Sequence, residues 1–134
     1  MQLQPHVFFQ GRCDEAIAFY EQALGAKRAM RLRFKDNPEV RDPVAPDWAD
    51  EVMHARLEIG GAALLMSDGH GAEGPNFQGF ALTLSLPAAD SVDRAFAALE
   101  VGGVVLQPLQ KTFFSSRFAM LCDRFGVTWI LLVG

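Results

Sequence analysis

Residues 14–25 read DEAIAFYEQALG. Ala16, Ile17, Phe19, Tyr20, Ala23 and Leu24 fall at i, i+1, i+3, i+4, i+7 and i+8, which is one apolar stripe of an α-helix. Gly25 stands where the residue after a helix takes a left-handed conformation. Upstream, Leu3 to Phe9 alternates and stops at Gly11, the pattern of a strand. Downstream, Ala26 to Phe34 alternates again. Glu51 to Ile59 then sets Met53, Ala55, Leu57 and Ile59 against His54, Arg56 and Glu58. Gly60 and Gly61 make a tight turn, and Ala62 to Asp68 returns as the next strand. The first half therefore predicts the order β-α-β-β-β.

The second half repeats that order. Residues 90–103 read DSVDRAFAALEVGG, with Asp90 or Ser91 placed to cap a helix and Val92, Ala95, Phe96 and Leu99 at helical spacing. Gly102 and Gly103 end it as Gly25 ends the first. Phe80 to Leu86, Val104 to Leu109, Arg117 to Cys122 and Val127 to Val133 supply four strands. The expectation is one domain over residues 1–134: a first module at about 1–68, a glycine-rich linker at 69–79 and a second module at about 80–134. A helix covers one face of a four-stranded sheet, and the other face must curl around something. Two such halves predict an α+β fold with a cupped mixed sheet around a pocket and the helices on its outer face. Residues 36–50 hold Pro38, Pro43 and Pro46 and read as a long loop, a candidate lid over that pocket.

Composition narrows the functional classes. Half of the 134 residues are hydrophobic, eleven of them Phe, which is ample for a core. Twelve Lys and Arg against sixteen Asp and Glu give a net charge of -4, and no basic run exists to offset it, so nucleic acid is not an expected partner. Lys27, Arg28, Arg31, Arg33 and Lys35 alternate with apolar residues, as on an edge strand with one solvated face. Cys13 and Cys122 are far apart and in no metal-binding spacing, which argues for small buried or half-buried side chains and a reducing, cytoplasmic setting. The N-terminus lacks a signal-peptide pattern and no apolar stretch reaches membrane-spanning length, so no membrane role is expected.

The residues able to carry chemistry are few. His6 shares a strand face with Phe8 and suits either a ligand or proton role or a simple structural hydrogen bond. His54, Arg56 and Glu58 share the polar face of their strand. If the two side chains point the same way, Asp68 on the adjacent strand makes an acid–base pair with His54. The catalytic candidates are thus His6, His54 and Asp68. Phe113, Phe114, Phe118, Phe125 and Trp129 cluster in the last quarter, as core or as an aromatic wall for a flat ligand. Arg117 among them can grip an acidic group or pair with an Asp such as Asp123. Phe8, Arg56, Phe114, Arg117, Phe118 and Trp129 are the expected pocket residues. His70, in the linker, reads as a solvated loop residue.

The repeat and its particular residues resemble the vicinal oxygen chelate superfamily (glyoxalase I, extradiol dioxygenases and antibiotic-resistance proteins), and within it the PhnB-like branch. The similarity lies in residues 11–20 (GRCDEAIAFY), 52–60 (VMHARLEIG), 65–68 (LMSD), 108–114 (PLQKTFF) and 123–129 (DRFGVTW). It implies a homodimer or an internally paired cup, a small-molecule ligand and often a divalent metal. The metal pattern puts a histidine at His6, a carboxylate at Leu65 or Ser67, a histidine at Ala81 or Phe80, and a glutamate at Ile130 or a neighbour. Only His6 fits, so no metal is expected; a bound metal would have to use His6 and Asp68. Phe114, Ser115 and Ala119 also depart from the branch, where Trp, Gly and Gly are expected. The first reading is a PhnB-like small-molecule-binding protein without a complete metal site. The alternative is a divalent-metal-dependent lyase, isomerase or dioxygenase built on His6 with His54 and Asp68. No strand–glycine turn–helix unit for an adenosyl cofactor is visible, so a methyltransferase is not expected.

Overall fold

The computed structural model describes residues 1–38, 46–69 and 75–134. Its described residues form two compact units, Met1–Pro75 and Asn76–Gly134. The first unit runs β1 (His6–Phe8), α1 (Cys13–Leu24), β2 (Lys27–Arg33), β3 (Val52–Ile59) and β4 (Ala62–Ser67). The second runs β5 (Leu82–Leu86), α2 (Ala89–Leu99), β6 (Val104–Gln110), β7 (Phe118–Cys122) and β8 (Thr128–Val133). The fold is α+β, made of two βαβββ modules, each with its own mixed four-stranded sheet. The strand orders are β1-β4-β3-β2 and β5-β8-β7-β6, with β1 parallel to β4 and β5 parallel to β8.

Alternation along the strands sets which side of each sheet is covered. In the first unit Ala55 opposes Met66 and Leu57 opposes Leu64, and all four are buried with Ile17 and Tyr20 of α1. Arg31, opposite Ala55, and Arg33 also reach the helix side, where both pair with Asp14 of α1 at 2.9 and 2.8 Å. Burying each of the larger apolar side chains contributes about 1.5–3 kcal/mol. In the second unit Trp129, Leu131, Ala119 and Leu121 alternate on the buried side with Val92 and Leu99 of α2. His6, Phe8, Leu65, Ser67, His54 and Arg56 share the opposite, open face of the first sheet.

Several boundaries differ from the sequence pattern, for local reasons. β1 begins at His6, because Pro5 has no N–H to give the ladder; its carbonyl accepts the Leu65 N–H at 3.0 Å. β5 starts at Leu82 and not at Phe80, since Gly79 turns the chain with φ +81° and Phe80 packs edge-on against Phe77. Neither Asp90 nor Ser91 is the cap of α2. Ala88 holds that position, and Ser91 lies in the first turn, where its hydroxyl accepts the Ala88 N–H at 3.1 Å. Gly25 does end α1 with a left-handed φ of +66°.

Residues 39–45 and 70–74 lie outside the described residues, and with them the middle of the expected 36–50 loop and His70. The two described flanks of that loop are tied to each other: Phe34 and Lys35 donate their N–H groups to the carbonyls of Glu51 and Ala49. Phe34–Asp36 and Pro46–Trp48 each make one 3-10 turn.

Candidate functional site

The open face of the first sheet brings two imidazoles together. β4 lies between β1 and β3, so the backbones of His6 and His54 stand two strand spacings apart, roughly 10 Å. Their rings nevertheless approach to 5.7 Å between centroids. Between them is Ser67, whose small side chain leaves room for both rings to lean inward. The Ser67 hydroxyl shares a 2.9 Å hydrogen bond with His6 Nε2 and accepts the Gly69 N–H at 3.3 Å. Phe8 flanks His6 with a centroid distance of 4.8 Å. Gly69 takes φ +65°, and a Cβ there would stand 3.3 Å from the Phe8 ring, so glycine serves both the turn and the seat of Phe8.

The electrostatics of this face follow from that crowding. Burial of the edge facing Ser67 holds the His6 imidazole below its ordinary pKa, and His54 pushes it further the same way. Arg56 and Glu58 on β3 stand 3.8 Å apart and are both well solvated, a contact worth little. Phe8 remains 50% exposed and Leu32, opposite His54, 41% exposed. The face thus offers an aromatic ring, an aliphatic side chain, two imidazoles and a guanidinium to a small molecule.

Asp68 occupies a different environment from the one the sequence pattern implied. Its side chain is buried on the helix side, and both oxygens are committed to backbone. Oδ1 accepts the N–H groups of Gly11 and Cys13 at 2.7 and 2.9 Å, and Oδ2 accepts that of Val52 at 2.8 Å. Asp68 therefore ties the β1–α1 turn, the first turn of α1 and the start of β3 to the end of β4. It forms no acid–base pair with His54 and shares no ligand position with His6, because the two histidines sit on the other face. Glu51 stands beside it, a residue that no motif in the sequence marks. Burial raises the Glu51 pKa first, followed by its hydrogen bond to Asp68 and the charges of Asp68 and Asp14. Burial, with Asp68 and Asp14, likewise lifts the Cys13 thiol far above its ordinary range, so it stays a neutral core group.

The second unit redistributes the other expected pocket residues. Trp129 is in the helix-side core, and its indole N–H donates to Asp123 Oδ2 at 2.9 Å. Asp123 also accepts the N–H groups of Phe125 and Val127, closing the β7–β8 turn. Arg117 pairs with Asp93 of α2, not with Asp123, through two bonds of 2.7 and 3.0 Å, which engages its guanidinium on the helix side. Phe118 lies on the open face of the second sheet, opposite Leu132, with Phe114 packed edge-on at 5.5 Å. The strand period explains the split: residues 117, 119 and 129 share one side, and 118 the other.

The donor set does not suit a chelated divalent metal. Among the described residues no three of His, Cys, Asp and Glu converge. Ile130, where the resemblance implies a glutamate, is flanked by Thr83 and Met120 on the open face of its sheet. His6 already shares its Nε2 with Ser67.

Comparison with known proteins agrees with the fold. Residues 3–131 match the Glyoxalase/Bleomycin resistance protein/Dioxygenase superfamily. The chain belongs to that superfamily. Within it, the chain is 31% identical over 142 residues to protein YjdN of Escherichia coli (strain K12), covering 99% of this chain and 95% of YjdN. Protein PA1353 from Pseudomonas aeruginosa superposes with a TM-score of 0.88 at 39% identity, over 99% of this chain and 97% of that one. A Bacillus cereus protein described as a putative 3-demethylubiquinone-9 3-methyltransferase, PhnB protein, gives 0.82 at 22% identity over the whole of both chains, a likeness of fold. The superfamily's βαβββ repeat is thus carried here by a chain whose own polar groups at the first open face are imidazoles and a guanidinium.

Proposed function

We propose that this chain is a PhnB-like, glyoxalase-fold small-molecule-binding protein, cytoplasmic and homodimeric, whose ligand rests on the open face of the first sheet. One observation carries the reading: His6, Phe8 and His54 gather over Ser67 with Phe8 half exposed, leaving apolar and hydrogen-bonding surface side by side. Aromatic surface with a few convergent polar groups is what a small-molecule site requires. The ligand reaches Phe8 and Leu32 with its apolar part and His54 or Arg56 with its polar part. Membership of the superfamily supports the ligand and dimer elements, and two unpaired cysteines support the reducing compartment. No cofactor is part of this reading.

A fragment screen by thermal shift, followed by NMR of the His6 and His54 rings, tests it. Hits should move both imidazole resonances, and Phe8→Ala should weaken them about tenfold or more. Binding that leaves those rings and the Phe8→Ala variant unaffected would refute this placement. Elemental analysis after incubation with nickel, zinc, manganese and ferrous iron separates the other reading. One equivalent retained by the wild type and lost in His6→Ala would move the function to a divalent-metal-dependent lyase, isomerase or dioxygenase.

A further inference from the structure

We infer that the two copies of the homodimer meet through β6 and the Phe113–Phe114 pair that follows it. This rests on the homodimer reading above and adds the place of contact. β6 is an outer strand of the second sheet. Val104, Val105 and Leu106 are 62%, 40% and 48% exposed, and Phe113 and Phe114 are 100% and 56% exposed. The strand, VVLQPLQ, contains no charged residue. Outer strands of this kind invite pairing with another chain unless charge or cover prevents it.

Area and charge both select a second copy as the occupant. The two phenylalanines leave roughly 300 Å² of apolar surface open, taking about 200 Å² for a whole side chain. The three aliphatic side chains add roughly 150 Å² at about half exposure. A standard interface takes about 800 Å² from each partner, of which about 65% is apolar in homodimers, or about 500 Å². The strip nearly supplies that share alone. A two-fold axis sets the same strip against itself, and Lys111, between β6 and Phe113, is its one charged residue, so few like charges come together. β2, an outer strand of the first sheet, carries Lys27 and Arg28 besides Arg31 and Arg33, the last two sharing the single carboxylate of Asp14, so two copies meeting there would bring an excess of cations together. Pro108 has no N–H, and the β6–β7 register shifts twice along the strand. The contact is therefore side-chain packing and not a continuous ladder.

Sedimentation velocity over a micromolar concentration series tests the placement, using the full chain, Leu106→Lys and Phe113→Asp. The wild type should sediment as a dimer. Each variant should raise the dissociation constant about a hundredfold with an unchanged circular dichroism spectrum. If Leu106→Lys fails to fold, Phe113→Asp decides, since that side chain is wholly exposed and its loss removes no core packing. A monomeric wild type would overturn both the homodimer and this interface. A dimer of undiminished affinity in the folded variants would leave the homodimer standing and overturn only its location.

Discussion

Replacing Asp68 by Asn tests whether this carboxylate is a clamp or a reagent. Asp68 accepts three backbone N–H groups, from Gly11, Cys13 and Val52, at 2.7, 2.9 and 2.8 Å. Each charge-assisted bond contributes about 1.5–3 kcal/mol, against about half that for a neutral one. Asn keeps an oxygen for Gly11 and Cys13 but weakens both bonds. Its amide then meets the Val52 N–H donor to donor, leaving a buried group unpaired at about 1–3 kcal/mol. Removing the charge returns part of this, because a buried carboxylate is costly to desolvate and Glu51 stands beside it. The expected net loss is about 2–4 kcal/mol, a large part of the 5–15 kcal/mol typical of a domain. For a chain of this size that lowers Tm by roughly 6–16 °C. Urea denaturation and differential scanning calorimetry measure it directly. A variant within about 0.5 kcal/mol of wild type would refute the clamp, since surface-like substitutions behave that way.

The pH response of Glu51 has a definite sign. Its folded pKa is raised, so its contribution is full below the ordinary carboxylate value and lost as pH climbs through the raised one. Glu51→Gln keeps a donor for Asp68 without the charge; urea midpoints should rise above wild type at neutral pH and converge with it in acid. For His6 the folded pKa is lowered, so its contribution is present above the ordinary imidazole value and shrinks as pH falls toward the lowered one. His54→Ala removes both some burial and the neighbouring charge, and an NMR titration should find the His6 midpoint moved upward; no movement would disprove the coupling. Gly103→Ala places a Cβ against the carbonyl of Cys122 and should cost about 2 kcal/mol or more. Gly60→Ala, with open space around it and φ +60°, should cost only about 1–2 kcal/mol, and equal losses in thermal melts would contradict the packing argument.

What the sequence by itself determined was the order of elements and the sides of the strands. The helical stripe from Ala16 to Leu24, its echo from Val92 to Leu99, and the period-two runs between them arise from local backbone geometry, which one chain segment can encode alone. The same periodicity separates His54, Arg56 and Glu58 from Ala55 and Leu57 within a single strand. What only the tertiary structure decided was which groups from distant segments meet. Asp68 read as a partner for His54 because both are polar and near a shared strand pair. Instead it faces three N–H groups that the turn at Gly11 and the start of β3 bring together. Arg117 read as a grip for an acidic ligand, but α2 supplies Asp93 from 24 residues away. Ser67 drew notice only as a position that lacked a carboxylate, yet its small side chain lets His6 and His54 lean together over β4. Hydrogen bonds and ring contacts depend on positions fixed to fractions of an ångström by packing across the whole module, and no spacing along the chain carries that information.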